Sequence, residues 1–254
     1  RLIVQPNTFN MYCHREPRFY LTVVWNGQWF KWENRNTNFL YGQPDGGPTH
    51  DAPQNGYLNR SRVSLDYIPR DNNHPYRPAI IFRMAEAYLS YAEALNESSE
   101  RMSHKQEILD NLNKIRHRAG IAEYGTGTDE NGFTRIKINF SDQKEVRRLI
   151  HKERRVEFVG EGVRYHDLRR WKTAHYGIGN LNEQGENPDW GVNGPDYGMN
   201  YYGTEYTDQG DNAFFKRTKY MDRVYPRKFY WYPIHQSEID KDPTLVQGPF
   251  WLGE

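Results

Sequence analysis

PAIIFRMAEAYLSYAEALNE, residues 78–97, carries the pattern on which the reading of the whole chain turns. Ile81, Met84, Ala85, Tyr88, Ala92 and Leu95 recur at three- and four-residue spacing, the period of one helical face, and Pro78 suits a first helical turn. The spacing predicts an amphipathic helix. Its small residues, Ala85, Ala87, Ala92 and Ala94, let a neighbouring helix approach closely. That neighbour is KQEILDNLNKIRHRAG, residues 105–120, with Ile108, Leu112, Ile115 and Ala119 on one stripe and Gly120 placed to end it. The short polar link from Ser98 to Ser103 makes the two an antiparallel pair.

Downstream, Asp142 and Glu145 form a capping-box-like start for a third helix with the stripe Val146, Leu149, Ile150, Arg154 and Phe158. It runs into ERRVEFVGEGVRYHDLRRW, residues 153–171, where Gly160 and Gly162 break the helix and RYHDLRRWK resumes it. Upstream, PRFYLTVVWNGQWFKW is rich in β-branched and aromatic residues around Asn26-Gly27, a type I′ hairpin signal. Residues 33–78 are dense in Asn, Gly and Pro and read as a long irregular segment. Beyond Tyr176 the texture is again loop, with Tyr and Trp among Gly, Asn and Asp, before a strand-like aromatic run and a Pro-punctuated tail.

Composition narrows the function. Aromatic residues make up 15% of the chain, which favours a folded, amphipathic surface over disorder. A net charge of +1 offers no basic excess for nucleic acid, and no run approaches the roughly 18 apolar residues of a membrane span. Cys13 is the single cysteine, so no internal disulfide forms. The first residue is Arg1 rather than Met, so any export or anchoring signal is expected outside these residues.

Glu153 and Glu157 lie one helical turn apart, and a pair of carboxylates is what glycoside hydrolysis uses. The arginines crowding the segment, Arg154, Arg155, Arg164, Arg169 and Arg170, depress carboxylate pKa values rather than raise one. The charges also interleave with Val156, Phe158, Leu168 and Trp171, which points to an interior network of Arg forks locking helix to helix. His166-Asp167 lacks a nucleophile in an elbow motif. The histidines show no H-x-x-x-H spacing, no C-x-x-C pair exists, and no phosphate-binding glycine motif appears. The TDENG turn could hold calcium but reads better as a solvated turn. No catalytic residue, metal site or cofactor is assigned.

Four blocks, RMAEAYLSYAEALNE, LNKIRHRAGI, ERRVEFVGEGVRYHDLRRW and YPIHQSEIDKDPTLVQGPFW, together resemble the SusD/RagB family of outer-membrane proteins of the Bacteroidetes, in the family's order. The resemblance spans nearly the whole chain, residues 1–254, and corresponds to the C-terminal half of such a protein, with the N-terminal half not present. Within it, 1–78 reads as hairpin and ligand-facing loops, 79–176 as helical core, and 177–254 as loops and tail. Three departures stand in the tail: His235 for Pro, Asp242 for Asn, and GPFW for an NPGW-like end. The implied fold is mainly α, a tetratricopeptide-like helical scaffold with long irregular aromatic-rich loops and a short β-hairpin. The resemblance implies a non-catalytic lipoprotein on the extracellular face of the outer membrane, held by an N-terminal lipid anchor outside this chain. Such a protein delivers an oligosaccharide, or in some members a peptide, to a SusC-like TonB-dependent transporter.

Sugar rings pack C–H faces on Trp and Tyr while their hydroxyls bond to Asn, Asp and Arg, so the ligand is expected at the aromatic loops. The first candidates are Trp29, Trp32 and Tyr41 beside Arg35, Asn36 and Asn38. The second loop offers Trp190, Tyr197, Tyr201 and Tyr202 with Asn193 and Asp196. A binder of peptide or another nutrient on the same scaffold, a glycoside hydrolase, and a plain helical interaction scaffold are the alternatives; loop aromatics that only pin loops to the body would serve the last.

Overall fold

The computed structural model describes residues 4, 6–31, 33–61, 63, 64, 67, 71, 72, 74–76, 78–177 and 191–252. The chain divides into two compact units, one running to Gly162 and including Gly198–Thr218, the other comprising Val163–Tyr197 and the residues from Lys219 onward. The first unit holds the helical scaffold: α2 (Met84–Glu97), α3 (Lys105–Arg118) and α4 (Gln143–Glu157). α2 packs on both α3 and α4. Contacts from Tyr91 to Glu107 and from Lys114 to the ring of Tyr88 run in opposite chain directions, so α2 and α3 are antiparallel as expected. Leu89, Ala92, Ile108, Leu112, Val146 and Ile150 are wholly buried between them.

The helix expected from Pro78 begins at Met84, because Arg83 is held extended at its N-cap with φ −140° and ψ 155°. The side chain of Arg83 reaches away to Glu161 and lies 4.6 Å over the ring of Phe158. Ile81, placed on the apolar stripe by its spacing, is therefore outside the helix and exposed. The start of α4 carries half of the expected capping box: the Asp142 carboxylate accepts the N–H groups of Lys144 and Glu145, while the Asp142 N–H goes to the carbonyl of Asn139 rather than to Glu145. Gly160 and Gly162, with φ 79° and 80°, end that run in a conformation that side chains disfavour.

The N-terminal aromatic stretch is a short helix α1 (Pro17–Thr22) followed by β1 (Val23–Trp25). β1 pairs antiparallel with β4 (Tyr57–Asn59), and β2 (Trp29–Phe30) forms a hairpin with β3 (Arg35–Asn36). The expected hairpin across Asn26-Gly27 is thus displaced by one strand. Only Gly27 takes positive φ, 88°, so the turn is not type I′. The cause is burial of Asn26, whose side-chain oxygen accepts the N–H of Phe39 and ties the turn inward. Tyr12, Trp25, Phe39, Phe214 and Phe215 close an aromatic core around it.

The second unit contains α5 (Val163–Arg170), all but the end residues Gly198 and Thr218 of the ribbon of β5 (Gly194–Gly198) and β6 (Thr218–Arg223), a 3-10 turn at Arg227–Tyr230 and α6 (Gln236–Lys241). Arg169 is its hub, donating to the carbonyls of Phe229 and Tyr230 at 2.8 Å each and lying over the rings of Tyr165 and Tyr232. His235, one of the departures in the tail, caps α6 by accepting the Ser237 N–H on Nδ1.

Candidate functional site

The paired carboxylates of α4 do not face a cleft. Glu153 is 3% exposed and Glu157 is 7% exposed. Arg18 bridges them, with Nη1 at 2.7 Å from Glu153 and 3.1 Å from Glu157. Arg116 adds a 2.9 Å bond to Glu153, and Arg83 and Arg118 both reach Glu157. Burial opposes the charge on Arg18, but Glu153 and Glu16 outweigh it and push its pKa up. The network joins α1, α3, α4 and the segment before α2. These contacts come from distant elements rather than from the neighbouring arginines, which no local spacing discloses. Asp167 is likewise buried and held by Arg170 at 2.9 Å.

The TDENG turn is committed to its own backbone. The Asp129 carboxylate accepts the N–H groups of Glu123, Asn131 and Phe133 at 2.8–3.1 Å, which hold its pKa down against burial. Among the described residues no group of three or more His, Cys, Asp or Glu could hold a metal ion.

The loop residues assemble differently. Asp45 accepts a two-pronged bond from Arg35 at 2.6 and 2.8 Å and the Asn38 N–H at 2.8 Å, closing residues 35–45 into a braced loop. Burial opposes ionisation of Asp45, and the Arg35 fork with the Asn38 N–H overcomes it, so its pKa lies below the usual carboxylate value. The braced loop presents Tyr41, whose backbone N–H donates to Gly203 at 2.8 Å. That bond joins two segments about 160 residues apart in sequence.

At the junction Tyr41 meets Tyr201 edge-on at 6.0 Å and Tyr202 at 5.5 Å, and Tyr201 and Tyr202 are perpendicular at 5.1 Å. Gly47 lies beneath Tyr201, where an added Cβ would come within 2.5 Å of the ring. Tyr202 is 70% exposed. The hydroxyls of the three tyrosines make no hydrogen bond among the described residues. The arrangement can therefore offer ring faces and hydroxyls to a flat polar ligand.

Of the residues singled out by sequence, Tyr41 and Tyr201 are brought together. Trp29 and Asn36 face each other as register partners on β2 and β3, Trp29 half-buried and Asn36 exposed. Arg35 braces the loop through Asp45. Trp32 and Trp190 lie outside the described residues. Asn193 and Asp196 are engaged inside the second unit, Asn193 with the backbone of His175 and Tyr225 and Asp196 with Arg223. Asp45 and Gly47 were missed; the PDGG turn at 44–47 was the one available signal.

Two SusD-like proteins of Formosa agariphila are each 32% identical to this chain. One matches over 109 residues, 43% of this chain and 18% of its own, and the other over 103, 41% and 19%. A SusD-like protein from Bacteroides fragilis, known from its crystal structure, superposes with a TM-score of 0.64 at 26% identity, covering 95% of this chain and 40% of its own. The chain thus spans less than half the length of these relatives. Residues 4–251 match the SusD family model, so the chain belongs to that family.

Proposed function

We propose that this chain is the ligand-bearing part of a non-catalytic nutrient-binding protein at the outer face of the outer membrane. It takes an oligosaccharide on the platform of Tyr41, Tyr201 and Tyr202 and passes it to a SusC-like TonB-dependent transporter. The observation that carries this reading is the convergence of two sequence-distant loops on three tyrosines whose hydroxyls are unengaged among the described residues. Family membership supports it, and so does the burial of Glu153 and Glu157 among arginines, which leaves that carboxylate pair unsuited to acid–base work. No helix among the described residues is long and apolar enough to cross a membrane.

Affinity electrophoresis through a panel of plant, microbial and host polysaccharides tests the proposal. Retardation by a glycan without release of reducing sugar, lost in Tyr41→Ala/Tyr202→Ala, is the expected result. Release of reducing sugar with time would replace it with a hydrolase, and retention by peptides alone would replace the glycan.

A further inference from the structure

A cleft of about 510 Å³ in the second unit has a lining of one sign. Its walls include His175, Arg227, Lys228, Phe250 and Trp251, and no carboxylate lines it among the described residues. Arg227 and Lys228 open the 3-10 turn Arg227–Tyr230, and neither makes an ion pair among the described residues. The Lys228 ammonium stands 5.0 Å over the ring of Trp251. Trp251 is itself fixed, donating its indole N–H to the carbonyl of Trp231 at 3.2 Å. Two cations and an indole face therefore share one concavity.

His175 completes the donor set. Its backbone N–H donates to the Tyr230 hydroxyl oxygen at 3.2 Å, and its ring Nδ1 lies 2.8 Å from the same oxygen. Nε2 remains the ring nitrogen available to a ligand. Burial first, and the charge of Arg227 second, hold this imidazole below its usual pKa, so the ring is uncharged at neutral pH. Asn193, which also lines the cleft, spends its amide on the backbone of His175 and Tyr225 and shapes the wall.

We propose that this cleft binds a sugar ring bearing a carboxylate, a uronic acid. The guanidinium of Arg227 matches a planar carboxylate, Lys228 supplies a second positive charge above the indole, and Phe250 and Trp251 supply an aromatic wall for the ring. The volume suits one or two sugar units rather than a long chain. This site shares no residue with the tyrosine platform, and its failure would leave that reading intact.

Calorimetric titration with digalacturonate, and with an uncharged disaccharide as control, tests the proposal on the full chain. Binding of digalacturonate that weakens by about tenfold or more in Arg227→Gln/Lys228→Gln, with the disaccharide silent, is expected. A bound carboxylate should also raise the pKa of His175, read by NMR titration of its ring. Equal binding of the uncharged disaccharide, binding unchanged in the double variant, or no binding of digalacturonate would overturn it. A Tyr41→Ala/Tyr202→Ala variant keeps full digalacturonate affinity if the two sites are separate; loss of affinity there would assign the ligand to the platform and refute the second site.

Discussion

Replacing Glu157 by Gln removes the negative charge on which three guanidinium groups converge while keeping the side chain's shape. The Glu157 side chain is 2% exposed, against 11% for Arg18, 23% for Arg83 and 59% for Arg118. Arg118 is mostly hydrated and its bond contributes little. Arg18 and Arg83 are not, and removing one partner of a buried pair costs about 3–5 kcal/mol because the other charge stays out of water. Gln retains an acceptor, and Arg18 keeps Glu153 at 2.7 Å, so the lower end, about 3 kcal/mol, applies. At about 2–4 °C per kcal/mol for a protein of this size, the melting transition that carries α2, α3 and α4 should fall by about 6–12 °C. Far-UV circular dichroism reads it directly. The loss should persist in about 1 M salt, since buried pairs are screened far less than exposed ones. A fall of less than about 2 °C, or one erased by salt, would mean that the network is not a lock and the helices are held by apolar packing alone.

Three further outcomes follow from single contacts. Gly160→Ala places a Cβ 2.3 Å from the Asn59 amide and the Ser61 hydroxyl at a positive φ, and should cost about 2–4 kcal/mol in chemical denaturation. Asp142→Ala removes the N-cap of α4 and should cost about 1 kcal/mol, while Asp142→Asn should restore most of it. Asp45 has a folded pKa depressed by the Arg35 fork, so its support for the loop is complete above its unfolded value near about 4 and is lost as pH falls through the folded one. Platform binding should be flat from neutral pH to about 5 and weaken below about 4, and Asp45→Asn should remove that pH dependence together with part of the affinity.

The parts legible in the sequence were those written in local period. The α3 stripe of Ile108, Leu112 and Ile115 is buried as its spacing says, and Asp142 caps α4 as its position says. Charges interleaved with apolar residues around Glu153 marked an interior network, which the arginine forks bear out. What escaped the sequence depends on contacts between distant segments. Nothing local announces that Arg18 meets Glu153, or that β1 would take β4 as partner once Asn26 turns inward. Tyr41 and Tyr201 could each be named as loop aromatics, but their meeting rests on the Tyr41 to Gly203 backbone bond and on a glycine at 47 small enough to lie beneath a ring. The start of α2 was misjudged because Arg83 answers to Glu157 and Glu161 rather than to helix propensity.

The central claim is that the tyrosine platform holds the ligand, and isothermal titration of a retained oligosaccharide into the intact chain and into Tyr41→Ala/Tyr202→Ala tests it most directly. Stripping two rings from the contact should remove about 2–3 kcal/mol, a loss of affinity of about thirtyfold or more. Equal affinity in the two proteins would place the ligand elsewhere and leave the three tyrosines as a clasp between two loops.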